Sequence, residues 1–102
     1  MGTVSGTLEA IREQLARHRE ALKRQFRVAR LAVFGSYARG TARKRSDVDI
    51  LVEFEPDGVT FDNYMDLKFY LQRVLRRRVD LVMVDAVRPE LRPIILREAV
   101  DV

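Results

Sequence analysis

The chain of 102 residues contains no cysteine, and that omission removes disulfides, zinc–thiolate centres and thiol catalysis together. It has one histidine, His18, so a histidine-built metal cluster is excluded too. No apolar run approaches the roughly 18 residues of a membrane span, and the opening MGTVSGTLEA carries no charged leader followed by an apolar block. These absences predict a soluble, unexported, cytoplasmic protein with no membrane partner. Also missing are G-x-x-x-x-G-K-[ST] and G-x-G-x-x-G, which argues against a P-loop or dinucleotide site. There is no nucleophile elbow, and His18 has no partners for a triad. It lies among Arg17, Arg19 and Glu20, off its helix's apolar stripe, and reads as a solvated side chain.

The residues present are 47% hydrophobic and 33% charged, which describes one globular domain over residues 1–102 with a densely ionic surface. A net charge of +4 favours an anionic partner. Sixteen of the nineteen basic residues are arginine, the side chain suited to bidentate phosphate recognition.

Leu8, Ile11, Leu15, Leu22 and Phe26 share one helical face, so a first helix is predicted from about Thr7, its N-cap, to Arg24. Arg30–Phe34 reads as a short strand ending at Gly35-Ser36, and Asp47–Phe54 as a second. Glu55-Pro56-Asp57-Gly58 is turn chemistry. Thr60 then caps a helix carrying Phe61, Tyr64, Leu67, Leu71, Val74 and Leu75. Val79–Val84 gives a third strand, and Pro89 and Pro93 punctuate the start of a last helix from Glu90 to about Ala99. The order predicts an α/β fold in which helices cover a small mixed sheet. Its second and third strands are parallel through a right-handed crossover, and the first two are antiparallel.

Side chains alternate along a strand, so Asp47 and Asp49 point the same way. Two such carboxylates repel unless solvated or bridged by a divalent cation. Magnesium takes hard oxygen ligands, and two such ions can clamp the attacking and leaving oxygens of a displacement at phosphorus. Asp80, the charged residue within VDLVMV, is the best candidate for a third carboxylate on the neighbouring strand. Asp85 falls past the strand end, and Glu53 is set aside as facing opposite to Asp47 and Asp49. Gly35 permits close backbone approach to a ligand, and Ser36, if it opens a short helix, offers free N–H groups to the terminal phosphates. Arg39, Arg43, Lys44 and Arg45 can neutralise a triphosphate.

GSYARG, SDVDILVEF and RRRVDLVMVD together resemble the nucleotidyltransferase superfamily typified by DNA polymerase beta, and more closely its minimal branch, the MNT antitoxins of HEPN/MNT toxin–antitoxin pairs. The resemblance implies a polymerase beta-like fold and a Mg²⁺-dependent enzyme, with two ions, that transfers AMP from ATP to a tyrosine hydroxyl of a HEPN ribonuclease toxin. It assigns Gly35 and Ser36 to the outer phosphates; of the loop cations, Arg39 is taken as the nucleotide-binding one. Asp47 and Asp49 become metal ligands, and Asp80 the third acidic residue, which assists deprotonation of the acceptor. The alternative is a non-catalytic antitoxin that neutralises its partner by occlusion. A partner protein would present the hydroxyl, in a homo- or hetero-oligomer; Tyr37, Phe61, Tyr64 and Tyr70 are interface candidates that equally suit core or turn positions needing no partner. RVLRRRVD prompts a nucleic-acid reading, but Arg76, Arg77 and Arg78 end a helix, where cations complement the dipole unaided, and clustered stacking aromatics are lacking.

Overall fold

The computed structural model describes residues 7–102, so the leader reading of residues 1–6 lies outside the described residues. The first helix forms in two pieces, α1 (Leu8–Arg17) and α2 (Arg19–Arg24). Thr7 Oγ1 caps α1 by accepting the Ala10 N–H at 3.2 Å. The break falls at His18, whose backbone leaves the helical region at φ −105°, ψ 15°. Its ring Nδ1 lies 2.6 Å from the Tyr70 hydroxyl, edge-on to that ring. His18 is therefore a half-buried tie between helices rather than a solvated side chain.

The rest of the chain forms β1 (Val28–Phe34), α3 (Gly35–Arg39), β2 (Val48–Phe54), α4 (Phe61–Leu75), β3 (Val79–Met83), α5 (Arg92–Glu98) and β4 (Val100–Asp101). Short 3₁₀ turns occupy Pro56–Gly58 and Val84–Ala86. Thr60 Oγ1 caps α4 by accepting the Asn63 N–H at 3.1 Å, and Pro93 falls in the first turn of α5, where its missing N–H costs nothing. The sheet order is β3-β2-β1-β4. β1 and β2 are antiparallel, and β2 and β3 are parallel, as expected. β4 is the unpredicted element. Its two residues pair with Ala32 and Val33, too short a stretch to show a periodicity.

Alternation along β2 divides the molecule into layers. Val48, Ile50, Val52 and Phe54 enter the larger core, with Ile11 and Leu15 of α1 and Leu67 and Leu71 of α4. Each such aliphatic side chain contributes about 1.5–3 kcal/mol by leaving water. Leu51 turns to the other face, where Ala32 and Val87 are buried and Ile95, Leu96 and Ala99 of the α5 region pack. Asp47, Asp49 and Glu53 share that second face by the period of two, which corrects the expectation that Glu53 faces away from them. What separates Glu53 is position along the strand: it pairs with Arg30, whereas Asp49 pairs with Phe34 at the sheet end.

Candidate active site

One end of the sheet collects the polar residues singled out above. β1 finishes there, β2 and β3 begin there, and parallel pairing puts Asp49 directly opposite Asp80. Asp47 lies two residues earlier on the same face, just before β2. Asp47 and Asp80 are exposed and Asp49 is half-buried. Burial, then the charges of Asp80 and Asp47, then a hydrogen bond with Asp80 push the Asp49 carboxyl up to about 6, against the opposing pull of the Arg39 guanidinium. At neutral pH these carboxylates therefore repel one another. Among the described residues the ion pairs join Arg24 to Glu20, Arg27 to Asp57, Arg30 to Asp101 and Arg39 to Glu98. None of them relieves Asp47, Asp49 or Asp80.

Gly35 closes the site from the β1 side. Its φ of +73° lies in the left-handed region, and an added Cβ would come within 2.0 Å of Asp49 Oδ2, so only glycine lets backbone and carboxylate lie together. Ser36 follows in α3, half-buried. Arg39, one turn on, points to a residue that sequence reasoning missed. Glu98 Oε2 accepts both the Gly35 N–H at 3.0 Å and Arg39 Nη1 at 2.6 Å. The last turn of α5 thus fixes the turn beside Asp49. The one available signal was that Glu98 is the sole acid in RPIILRE, but nothing local says what it meets 63 residues away.

Tyr64 stands on the β3 side. Its hydroxyl donates to the Leu81 carbonyl, and burial, then the negative charge of Asp80, raise its pKa. Of the other aromatics proposed for an interface, Phe61 is 76% exposed, whereas Tyr37 is 3% exposed and belongs to the core. Tyr37 is thereby removed from that role, because α3 turns it inward. Tyr70 is half-buried against Phe26 and His18.

Among the described residues no three histidine, aspartate or glutamate side chains form a ready-made metal cage. Magnesium does not need one, since it is commonly held by one or two carboxylates plus substrate phosphates and water. Asp49 and Asp80, with Asp47 beside them, offer that hard-oxygen donor set. The raised Asp49 pKa marks negative charge that a divalent cation would offset.

The chain belongs to the nucleotidyltransferase domain family, whose match spans residues 15–102, and it is a nucleotidyltransferase. It is 43% identical over 96 residues to the protein adenylyltransferase MntA of Thermococcus cleftensis, covering 94% of this chain and 96% of that one. A provisionally named minimal nucleotidyltransferase of known structure matches with TM-score 0.75 and 39% identity over 90% of this chain and 95% of that one. A structure of a tri-AMPylated Shewanella oneidensis HEPN toxin in complex with MNT antitoxin matches at TM-score 0.64 and 20% identity, covering 89% of this chain and 70% of the matched chain. At that identity the last likeness concerns the fold alone. No helix of the described residues is long and apolar enough to cross a membrane.

Proposed function

We propose that this chain is a Mg²⁺-dependent protein adenylyltransferase that moves AMP from ATP to a tyrosine hydroxyl of a HEPN ribonuclease toxin and so acts as its antitoxin. The observation that carries the reading is the register of Asp49 with Asp80 on parallel strands, next to a glycine turn that admits the Asp49 carboxylate. The name of the Thermococcus relative supports adenylyl transfer to protein. The resemblance of GSYARG, SDVDILVEF and RRRVDLVMVD to the MNT antitoxins supports the partner class.

Asp47, Asp49 and Asp80 would hold the metal, which when bound supplies positive charge to the phosphates and acidifies the acceptor hydroxyl. Gly35 lets the outer phosphates approach the backbone closely, Ser36 holds them, and Arg39, steadied by Glu98, adds positive charge beside them. The acceptor oxygen forms a bond to the α-phosphorus as the bond to the bridging oxygen of pyrophosphate breaks. The hydroxyl proton passes to Asp80, which is exposed and returns it to water. Beside Asp80, an apolar groove of about 480 Å³ is lined by Val59, Phe61, Tyr64, Leu81 and Met83. A protein acceptor docks there with its tyrosine directed at the carboxylates.

The test is incubation of the chain with labelled ATP, Mg²⁺ and the toxin. Label should enter the toxin with the wild type and be absent with Asp47→Asn. If Asp47→Asn still neutralises the toxin without labelling it, occlusion rather than catalysis is the mechanism.

A further inference from the structure

The function above leaves the densest cationic feature of the molecule without a task. Lys44 and Arg45 of the α3–β2 loop and Arg76, Arg77 and Arg78 of the α4–β3 turn line a pocket of about 420 Å³, whose wall also includes Asp47. The volume falls within the range of small-molecule sites. The pocket opens at the same sheet end as the carboxylates, because the Val48 N–H donates to the Arg78 carbonyl at 2.9 Å and holds loop and turn together.

Helix-dipole complementarity accounts for cations at the end of α4 but not for the pocket. Lys44 and Arg45 belong to another segment, and the dipole's influence fades within a turn. Among the described residues, the side chains of Lys44, Arg45, Arg76 and Arg78 enter none of the ion pairs. Arg77 is held on the wall, its guanidinium 5.8 Å from the centre of the Tyr37 ring. Arg76 occupies the left-handed region at φ +55°, a conformation that costs a non-glycine residue about 1–2 kcal/mol. Glycine is the usual solution there, whereas arginine keeps a cation on the pocket rim.

Position indicates what this charge meets. In the sheet order, Gly35 and Ser36 follow β1 on one side of Asp47, and Arg78 precedes β3 on the other. In an in-line displacement the attacking and leaving oxygens lie on opposite sides of the phosphorus. With the outer phosphates at Gly35 and Ser36, the pocket lies toward the incoming group.

We infer that the Lys44, Arg45 and Arg76–Arg78 pocket is a second phosphate-binding site, which takes a phosphate group carried by an acceptor that is already nucleotidylated. The placement relative to the attacking group rests on the proposed function, while the anion site itself does not. A filled pocket lets one transfer follow another, since the first product's phosphodiester is held beside the carboxylates.

Calorimetric titration of the full chain without divalent metal, using an adenylylated tyrosine peptide and inorganic pyrophosphate as separate probes, tests it. Arg76→Gly combined with Arg78→Ala is the variant of choice, because glycine suits the left-handed backbone and the fold is not endangered. Losing two charged hydrogen-bond donors should weaken binding by roughly tenfold or more. Loss for the peptide assigns the site to the acceptor, and loss for pyrophosphate alone overturns the placement on the attacking side. Asp49→Asn should leave this binding intact while ending transfer, so failure of the transfer reaction and failure of the pocket are told apart. Equal affinity of wild type and variant for both probes overturns the inference, as does single-stranded RNA binding far more tightly than either probe.

Discussion

Asp49→Asn should stabilise the metal-free protein while ending its catalysis, and the gain should appear only above a definite pH. The folded protein holds the Asp49 proton more tightly than the unfolded chain does, since the carboxyl rises from 3.8 to about 6 on folding. The native state is therefore not penalised below about pH 4. It loses stability as pH rises from about 4 to about 6, and carries the full penalty beyond. A rise of that size corresponds to about 3 kcal/mol before screening by water. Asp49 is only half-buried and water screens its neighbours, so about 1–2 kcal/mol is the expected cost. Asparagine has no charge to bury and still can donate a hydrogen bond to Asp80. Thermal unfolding in chelator should then place the variant's Tm on the order of 5–10 °C above wild type at pH 8, with the two coinciding near pH 4. Added Mg²⁺ should stabilise the wild type and leave the variant unmoved, since a ligand stabilises only the state that binds it. A Tm difference independent of pH, or a variant less stable at pH 8, would show that the three carboxylates do not burden one another as described.

Gly35→Ala should cost about 1–2 kcal/mol for the left-handed backbone, and more if the Asp49 carboxylate cannot swing clear. Urea denaturation measures it, and Asp49→Ala in the same chain should remove the additional part. Glu98→Ala should abolish two charge-assisted hydrogen bonds to the Gly35 turn and Arg39, costing roughly 1–3 kcal/mol, and should raise the KM for ATP; Glu98→Gln, which keeps an acceptor oxygen, should recover part of both. Leu67→Ala, in the fully buried heart of α4, should cost about 2–5 kcal/mol without altering the KM of the protein that remains folded. At limiting Mg²⁺, transfer activity should fall below about pH 6 as Asp49 takes up its proton, and rising Mg²⁺ should move that fall to lower pH.

The central part of the fold was readable because its residues obey short-range rules. Alternation in VDILVEF marks β2, Thr60 caps α4, and the chain between Asp49 and Asp80 is long enough for the crossover that brings their strands into parallel pairing. The remainder depends on contacts that no local pattern encodes. The helix breaks at His18, whose ring meets Tyr70, with no proline or glycine to announce the break. Tyr37 beside the Gly35 turn reads as either interface or core, and it is the packing of α3 against the sheet that puts it in the core. Glu53 shares the face of Asp47 and Asp49, and only its distance along the strand, opposite Arg30, keeps it from the site. Glu98 was invisible because its meaning lies wholly in Gly35 and Arg39 across the molecule.

The contact of Glu98 with Gly35 spans 63 positions, and it orders events during synthesis. A nascent chain can pair Asp49 with Asp80 as soon as β3 emerges, but the turn beside them stays unclamped until α5 has left the ribosome. The turn beside the carboxylates is therefore latched only after Glu98 has emerged, and a chain cut short before Glu98 lacks the group that holds it.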